Sequence, residues 1–129
     1  MTINEILLID DNYIDNYINK TIVTKENIAA TITVMLSPLE ALEYLKDKKD
    51  SLPELIFLDI RMPQMDGFEF LVEFSRLLDD KKNNCKIVML SSSHNMQDIE
   101  TAKQNPCVLE YLVKPLSASK LSAVLKLIS

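Results

Sequence analysis

The sequence is 129 residues long, a length typical of one domain with a single hydrophobic core. Hydrophobic residues make up 47% of it and charged residues 26%, which is typical of a folded globular protein and argues against disorder. A formal net charge of −5 argues against nonspecific binding to nucleic acid or to an anionic membrane, because both favour basic surfaces. We therefore expect one domain over residues 1–129 and no nucleic-acid partner.

The N-terminal stretch MTINEILLIDDNY does not resemble a signal peptide, because it has no basic start and Asp10 and Asp11 interrupt its apolar run. No apolar stretch approaches the roughly 20 residues that a membrane span needs. Cys85 and Cys107 lack any Cys-x-x-Cys or Cys/His metal spacing, so we interpret them as reduced, apolar residues. These features predict a cytoplasmic protein that does not bind membranes.

Five short apolar runs, taken in chain order, predict five strands. Nearly continuous runs of this kind suit strands that are buried on both faces, as in a parallel sheet covered by helices. The runs are Ile6–Ile9, Ile32–Leu36, Leu55–Leu58, Ile87–Leu90 and Val108–Val113.

Segments of helical length separate these runs and follow the last one. Four of them carry an apolar stripe at helical spacing, the pattern of a helix that turns one face to the core. The stripes consist of Ile14, Tyr17, Ile18 and Ile22; Leu39, Leu42 and Leu45; Phe68, Leu71, Val72 and Leu78; and Leu121, Val124, Leu125 and Ile128 in a last helix from about Ser117 to Ile128. The fourth segment, around Met96–Gln104, is weakly patterned, and the polar stretch Asp79–Asn84 is predicted to be a loop.

Alternating strands and helices with right-handed crossovers predict an α/β fold, a doubly wound three-layer sandwich around a five-stranded parallel sheet. Polar residues follow four of the strands: Asp10-Asp11, Asp59, Ser91 to Ser93, and Lys114-Pro115. Because the carboxyl ends of parallel strands share one edge of the sheet, these side chains are expected to converge where such folds bind ligands.

Each of these residues also has a simpler explanation. Asp11 or Asn12 suits the N-cap of the first helix, and Asp66 with Glu69 resembles a capping pair at the start of the third. Lys114 suits an exposed charge before a turn. The convergence of four such features on one sheet edge nevertheless favours a functional site.

Converging carboxylates repel one another and need a cation. Magnesium is the expected ion, because it prefers oxygen ligands and often shares its shell with phosphate oxygens. A carboxylate beside a bound phosphate can act as a nucleophile and form an aspartyl phosphate, and Asp59 at the end of a central strand is the best candidate. Lys114 and the Ser91 hydroxyl would then bind phosphate oxygens.

These residues resemble the receiver domain of two-component response regulators. ILLIDDN is similar to the first strand of that family with its acidic pair, and LDIRMPQMDG to its phosphorylation-site loop. VMLSSS is similar to the fourth strand with its hydroxyl residue, and YLVKP to the fifth strand with its lysine and proline. The resemblance covers the whole chain and implies the flavodoxin-like strand order 2-1-3-4-5.

The resemblance also implies roles for individual residues. Asp59 is the expected phosphoacceptor, and Asp11 and Asp59 are expected to bind Mg²⁺ directly, with Asp10 acting through water and the backbone carbonyl of Arg61 completing the protein ligands. Ser91 and Tyr111 are the expected switch residues. Two further expectations are that the Lys114-Pro115 bond is cis and that Arg61 and Ser93 tune the lifetime of the phosphoryl group.

The function so implied is that of a stand-alone receiver, which is not an enzyme acting on a separate substrate. It accepts phosphate from a histidine kinase or a histidine phosphotransfer protein and signals by conformational change or onward phosphotransfer. The expected output surface comprises the fourth helix, fifth strand and fifth helix, around Ile99–Lys103, Tyr111 and Leu116–Lys120. Physically, phosphate would bias a two-state element.

Three other functions stay open. A magnesium-dependent phosphatase of the haloacid dehalogenase type uses an aspartyl nucleophile, but its second aspartate falls where this chain has Arg61. A flavodoxin-like nucleotide binder needs a glycine-rich phosphate loop, whereas Gly67 is the chain's one glycine. A receiver fold that serves only as a scaffold is the remaining alternative, although it would not need the charged residues of the site.

Overall fold

A computed structural model of the chain describes residues 3–48, 51–77 and 84–128, in which strands and helices alternate. The strands are β1 (Ile3–Ile9), β2 (Ala29–Met35), β3 (Leu55–Leu58), β4 (Lys86–Ser91) and β5 (Val108–Val113). The helices are α1 (Tyr13–Glu26), α2 (Pro38–Asp47), α3 (Gly67–Phe74), α4 (Met96–Gln104) and α5 (Ala118–Ile128). Leu78 and residues 79–83 of the predicted loop lie outside the described ranges.

The five strands form one parallel sheet in the order β2-β1-β3-β4-β5, which confirms the predicted fold class and strand order. The register determines which strand ends meet. Ile9 of β1 pairs with Leu58 of β3, so the residues that follow them, Asp10 and Asp59, come at the same height. On the other side of β3, Ser91 pairs with Val113, and the Lys114 N–H donates to the Ser91 carbonyl at 2.9 Å.

Helices cover both faces of the sheet, as predicted, and each face has its own apolar core. Alternate residues of the central strands point to opposite faces, because side chains in a strand alternate. On one face α2, α3 and α4 contribute Ala41, Leu42, Leu45, Phe70, Leu71, Phe74 and Ala102. On the other face α1 and α5 contribute Val23, Leu121 and Val124.

The orientation of α1 differs from the prediction. Its apolar stripe was expected to face the core, yet Ile14 and Tyr17 are each 66% exposed. The buried residues of this helix are Asn16, Asn19 and Val23. The reason is a pair of polar contacts, since the Asn16 amide donates to the backbone carbonyls of Asp10 at 2.7 Å and Met35 at 3.3 Å. The α1 helix is therefore anchored to the sheet edge by hydrogen bonds and leaves apolar side chains in solvent.

Cys85 is buried and Cys107 half-buried, and neither forms a disulfide. Burial raises the pKa of the Cys85 thiol to about 12, so it is an unreactive apolar residue, in agreement with the sequence interpretation. Among residues 3–48, 51–77 and 84–128, no helix has the length and apolar character needed to cross a bilayer.

Candidate functional site

Three carboxylates converge at the carboxyl edge of the sheet. One oxygen each from Asp10, Asp11 and Asp59 lies within 4.8 Å of the others. Asp10 is 3% exposed and Asp59 6%, whereas Asp11 faces solvent. The structure thus brings together the acidic residues that the sequence predicted, in a set of oxygen ligands that suits a hard divalent cation.

Lys114 extends from the end of β5 into this cluster. Its Nζ lies 2.7 Å from Asp10 Oδ2, 2.7 Å from Asp15 Oδ2 and 3.5 Å from Asp59 Oδ2. The Lys114-Pro115 peptide bond is cis, as expected. The single ammonium group is therefore shared among three carboxylates.

The ionisation of these groups reflects their burial and their neighbours. Burial raises the pKa of Asp10 to about 6, and the nearby charge of Asp59 adds to this effect, although hydrogen bonds from Lys114 and the Asn12 N–H oppose it. Burial on its own would lower the pKa of Lys114, but hydrogen bonds to Asp10 and Asp15 outweigh it, so the pKa lies above its usual value of 10.5. Lys114 is therefore a permanent cation at physiological pH.

Ser91, the last residue of β4, is fully buried at the carboxyl edge of the sheet. Its Oγ accepts a hydrogen bond from the Ser93 N–H at 3.2 Å. Because the hydroxyl is the acceptor in this bond, its own hydrogen is still free to be donated to a ligand. The carbonyl of Ser93 accepts a hydrogen bond from the Tyr111 hydroxyl at 2.9 Å, which holds the Tyr111 side chain inward at 8% exposure.

The loop after β3 turns sharply toward α3, and Gly67 permits the turn by its small size. A Cβ at Gly67 would lie 2.6 Å from the Asp59 carbonyl oxygen and 3.0 Å from Ile60 Cα, so any other residue would push the backbone of Asp59 away. The left-handed position in this loop is Gln64 (φ 70°). Asp66 and Glu69 form the predicted capping box at the start of α3.

Arg61, in the same loop, forms an ion pair that the sequence did not predict. Its Nη2 lies 2.9 Å from Asp98 Oδ2 in the first turn of α4. The same Asp98 oxygen accepts a hydrogen bond from Ser93 Oγ at 2.8 Å. The loops after β3 and β4 are thereby joined through one carboxylate.

The structure brings together Asp10, Asp11, Asp59, Ser91 and Lys114, as the strand-end pattern predicted, while their chemical roles stay predictions. Sequence reasoning missed Asp15, Asn16 and Asp98, because their positions depend on how α1 and α4 rotate against the sheet. The one signal in the sequence was a polar residue, Asn16, within the predicted first helix, and the structure shows that it is buried.

Comparison with known proteins agrees with this geometry. The model of the response regulator receiver domain family matches residues 6–126. The structure of a two component response regulator from Cytophaga hutchinsonii is 30% identical with a TM-score of 0.91, covering 99% of this chain and 98% of that one. A response regulator receiver protein from Dyadobacter fermentans is 27% identical with a TM-score of 0.86, covering 95% and 94% of the two chains.

Relatives of greater length also match. An uncharacterized response regulatory protein of Staphylococcus epidermidis is 31% identical over 120 residues, which are 92% of this chain and 43% of that protein. The sensor histidine kinase CheAY of Helicobacter pylori is 30% identical over 125 residues, which are 94% of this chain and 14% of the kinase. This chain thus spans less than half of these two relatives. By the family model and by fold, the chain belongs to the response regulator receiver domain family, whose members are phosphoacceptors in two-component signalling.

Proposed function

We propose that this chain is a cytoplasmic receiver that accepts a phosphoryl group on Asp59 from a histidine kinase or a histidine phosphotransfer protein, in a Mg²⁺-dependent reaction. The signal leaves by conformational change or by onward phosphotransfer, and residues 1–129 act as a single receiver domain. The alignment over 98% of the Cytophaga response regulator supports this domain organisation.

The observation that carries the proposal is the placement of Asp59, a buried carboxylate with Lys114 Nζ 3.5 Å from its Oδ2. In the transfer, an Asp59 oxygen attacks phosphorus and an O–P bond forms. The N–P bond to the donor histidine breaks, and its electron pair goes to the imidazole nitrogen. Lys114 and the Ser91 hydroxyl balance the charge on the phosphoryl oxygens as the group moves.

Asp10, Asp11 and Asp59 fit a magnesium ion, because they offer oxygen ligands within 4.8 Å of one another. We propose that Asp11 and Asp59 bind it directly, that Asp10 binds it through water, and that the Arg61 backbone carbonyl is the last protein ligand. When bound, the ion neutralises charge on the transferring phosphoryl group.

The test is intact-mass spectrometry after incubation with acetyl phosphate and Mg²⁺. The wild-type chain should gain about 80 Da in a linkage that is acid-stable and base-labile, as expected for an aspartyl phosphate. Asp59→Asn and the wild type with a chelator should gain nothing. Asp47→Asn is the matched control, because it makes the same change at an exposed carboxylate at the end of α2 and should leave the gain intact. A wild-type chain that binds Mg²⁺ and gains no mass would contradict the proposal and favour the scaffold alternative.

We propose that the output surface is α4, β5 and α5, around Ile99–Lys103, Tyr111 and Leu116–Lys120. The buried side chains of Tyr111 and Leu116, which are 8% and 2% exposed, would act by positioning the exposed residues around them. The hydrogen bond from Tyr111 to Ser93 supports this proposal, because it links β5 to the loop that directly follows Ser91. Any change in that loop would be transmitted to Tyr111.

We propose further that the phosphodonor protein docks on the apolar part of α1. A donor histidine that reaches Asp59 must lie against the surface around the site, and α1 begins at Tyr13, two residues after Asp11. Tyr13, Ile14 and Tyr17 are exposed by 72%, 66% and 66%. Large apolar side chains exposed together mark an interaction surface.

A comparison of two phosphodonors tests this docking surface. Ile14→Ser and Tyr17→Ser should slow phosphorylation by a phosphorylated histidine phosphotransfer protein and leave phosphorylation by acetyl phosphate unchanged. Met96→Ser is the matched control, because Met96 is also 66% exposed but lies on α4. Equal slowing with both donors would show that the α1 changes disturb the site itself and would contradict a docking role.

A further inference from the structure

We propose that Asp98, in the first turn of α4, is a positioning residue that holds Arg61 and Ser93 across the mouth of the site and thereby lengthens the lifetime of the phosphoryl group on Asp59. The inference rests on the proposed function, since it concerns the loss of the phosphoryl group that Asp59 accepts.

The contacts of Asp98 are the basis of this inference. One oxygen, Oδ2, accepts hydrogen bonds from Arg61 Nη2 at 2.9 Å and from Ser93 Oγ at 2.8 Å. The Asp98 side chain is 15% exposed, whereas the Arg61 side chain is 65% exposed. The carboxylate is thus a shielded anchor, and the arginine is the exposed part that it restrains.

The two residues that Asp98 holds have equivalent positions in the sequence relative to the site residues. Arg61 is the second residue after Asp59, and Ser93 is the second residue after Ser91. Asp98 therefore joins the two loops that flank the phosphoryl position. The loop after β4 is held again where Ser93 Oγ accepts the Asn95 N–H at 3.2 Å, so Ser93 is fixed on both sides.

The chemistry of phosphoryl loss gives this bridge a consequence. In hydrolysis a water molecule attacks phosphorus from the side opposite the Asp59 oxygen and a new O–P bond forms. The bond to Asp59 breaks with its electron pair returning to the carboxylate, and the group leaves as inorganic phosphate that carries the protons of the water. The water needs room at the mouth of the site and an approach in line with the breaking bond. Arg61 and Ser93, tied by Asp98, limit that room. The bridge also fixes the Ser93 N–H, which donates to Ser91 Oγ at 3.2 Å and so leaves the Ser91 hydroxyl hydrogen available to the phosphoryl group.

Decay of the phosphorylated chain tests the inference. The wild type is loaded with acetyl phosphate and Mg²⁺, the phosphodonor is removed by rapid desalting, and loss of the 80 Da adduct (about the mass of one phosphoryl group) is followed by intact mass. Asp98→Ala should shorten the half-life by about two- to fivefold, the change in rate that corresponds to an exposed ion pair. Asp98→Asn keeps an acceptor for Ser93 and should recover part of the lifetime. Glu100→Ala, which removes an exposed carboxylate from the same helix, should have no effect.

A double-mutant cycle with Arg61→Ala separates positioning from a general weakening of α4. Because Asp98 acts partly through Arg61, the combined variant should decay more slowly than the product of the two single effects predicts. The Mg²⁺ concentration for half-maximal loading should be the same in the wild type and Asp98→Ala, which shows that the effect does not pass through the metal site.

The two proposals fail in different ways. A wild type that never gains mass overturns the proposed function, and the role of Asp98 with it. A wild type that loads normally but decays at the same rate as Asp98→Ala overturns the inference alone. Fully multiplicative effects in the cycle, or no recovery in Asp98→Asn, would also overturn it.

Discussion

Two buried carboxylates lie at opposite ends of β1, and the chain compensates their charges differently. Glu5, near the start of the strand, is 8% exposed, and Asp10, directly after its last residue, is 3% exposed. Glu5 accepts hydrogen bonds from Thr33 Oγ1 at 2.6 Å and from the Tyr44 hydroxyl, and Lys48 Nζ lies 3.1 Å away. The partners of Glu5 are hydrogen-bond donors from its own chain, so this carboxylate is satisfied without a ligand.

Asp10 is compensated less completely. Its cation, Lys114, is shared with Asp15 and Asp59, so one ammonium group faces three carboxylates. The pKa directions reflect this difference. Burial on its own would raise the pKa of Glu5, but hydrogen bonds from Thr33, Tyr44 and Lys48 outweigh it, and the pKa lies below its usual value of 4.5. At Asp10 burial prevails, and the pKa rises to about 6.

Burial of a carboxylate therefore does not by itself identify a functional site. What distinguishes the Asp10 end is an excess of negative charge that the described residues leave uncompensated, and a divalent cation can supply the missing positive charge. A buried charge that is fully paired within the chain contributes to the fold, as at Glu5.

The largest expected effect comes from removing the cation at each end. Lys114→Met should slow phosphorylation by acetyl phosphate at least about 100-fold, because it removes a preformed charge beside the moving phosphoryl group. Lys48→Met makes the same change at the Glu5 end and should leave the rate unaltered. The measurement is the initial rate of mass gain, with far-UV circular dichroism to show that each variant is folded.

Lys114→Arg provides a second test if Lys114→Met does not fold. It keeps the charge but changes the geometry around Asp10 and Asp59. The variant should therefore fold, and acetyl phosphate should phosphorylate it more slowly than the wild type. Equal effects of the Lys48 and Lys114 substitutions on the rate would remove the distinction between the two ends.

The next effect concerns stability. Glu5→Gln should lower the free energy of unfolding at pH 7 by about 2 kcal/mol, the value of hydrogen bonds to a charged group, because a neutral amide cannot replace all of the bonds to Thr33, Tyr44 and Lys48. Urea denaturation measures this difference. Glu43→Gln, at an exposed position of α2, should change the free energy of unfolding by less than about 0.5 kcal/mol. A Glu5→Gln variant as stable as the wild type would show that the network contributes nothing.

Asp10→Asn should act in the opposite direction and raise the free energy of unfolding above pH 6 by about 1 to 2 kcal/mol. The folded pKa of about 6 exceeds the usual value of 3.8, so between these values the unfolded chain loses its proton first. The contribution of Asp10 to stability therefore falls as pH rises from about 4 to about 6 and is constant above. The contribution of Glu5, whose pKa is lowered, is instead present above pH 4.5 and lost as pH falls through its folded pKa.

The free energy of unfolding, measured over this pH range without divalent cations, should show the pH dependence of both residues. Asp10→Asn should lack the decline between pH 4 and pH 6 (about 3 kcal/mol at most for a shift of this size), and Glu5→Gln should lack the loss at lower pH. Slopes of the same sign at the two residues would contradict the comparison.

The sequence predicts the positions of strand ends better than the orientations of helices. Asp10, Asp59, Ser91 and Lys114 were identified from the sequence because the carboxyl ends of parallel strands must share an edge, whatever the details of packing. The run Leu55–Leu58 matches β3 residue for residue. The predicted carboxyl ends of the five strands lie within one residue of those observed, and only those of β2 and β4 differ. Strand starts are less exact, because β1 and β2 begin at Ile3 and Ala29, three residues before the predicted runs.

Helix rotation was not predictable in the same way. The stripe of Ile14 and Tyr17 indicated a buried face, but the amide of Asn16 satisfies backbone carbonyls at the end of β1 and the end of β2, and this sets the rotation of α1. The same limitation hid Asp98, whose contact with Arg61 spans 37 residues and depends on where α4 starts. Glu5 was missed because the alternation of β1 does not reveal the donors on β2 and α2 that make its burial favourable.

The smallest expected effect is the response of stability to Mg²⁺. It tests most directly whether the negative charge at the Asp10 end of β1 is compensated by a cation. At ten times its dissociation constant, the ion should add about 1.4 kcal/mol to the free energy of unfolding, because it binds only the folded site. Differential scanning calorimetry should show a rise in Tm of about 3 to 6 °C for the wild type and for Glu5→Gln. Asp59→Asn should lose the response, since Asp59 is a proposed direct ligand, and Asp10→Asn should weaken it, since Asp10 is proposed to bind the ion through water. If Asp59→Asn responded as the wild type does, the ion would be binding elsewhere on this acidic surface, and the excess of negative charge at Asp10 would need another explanation.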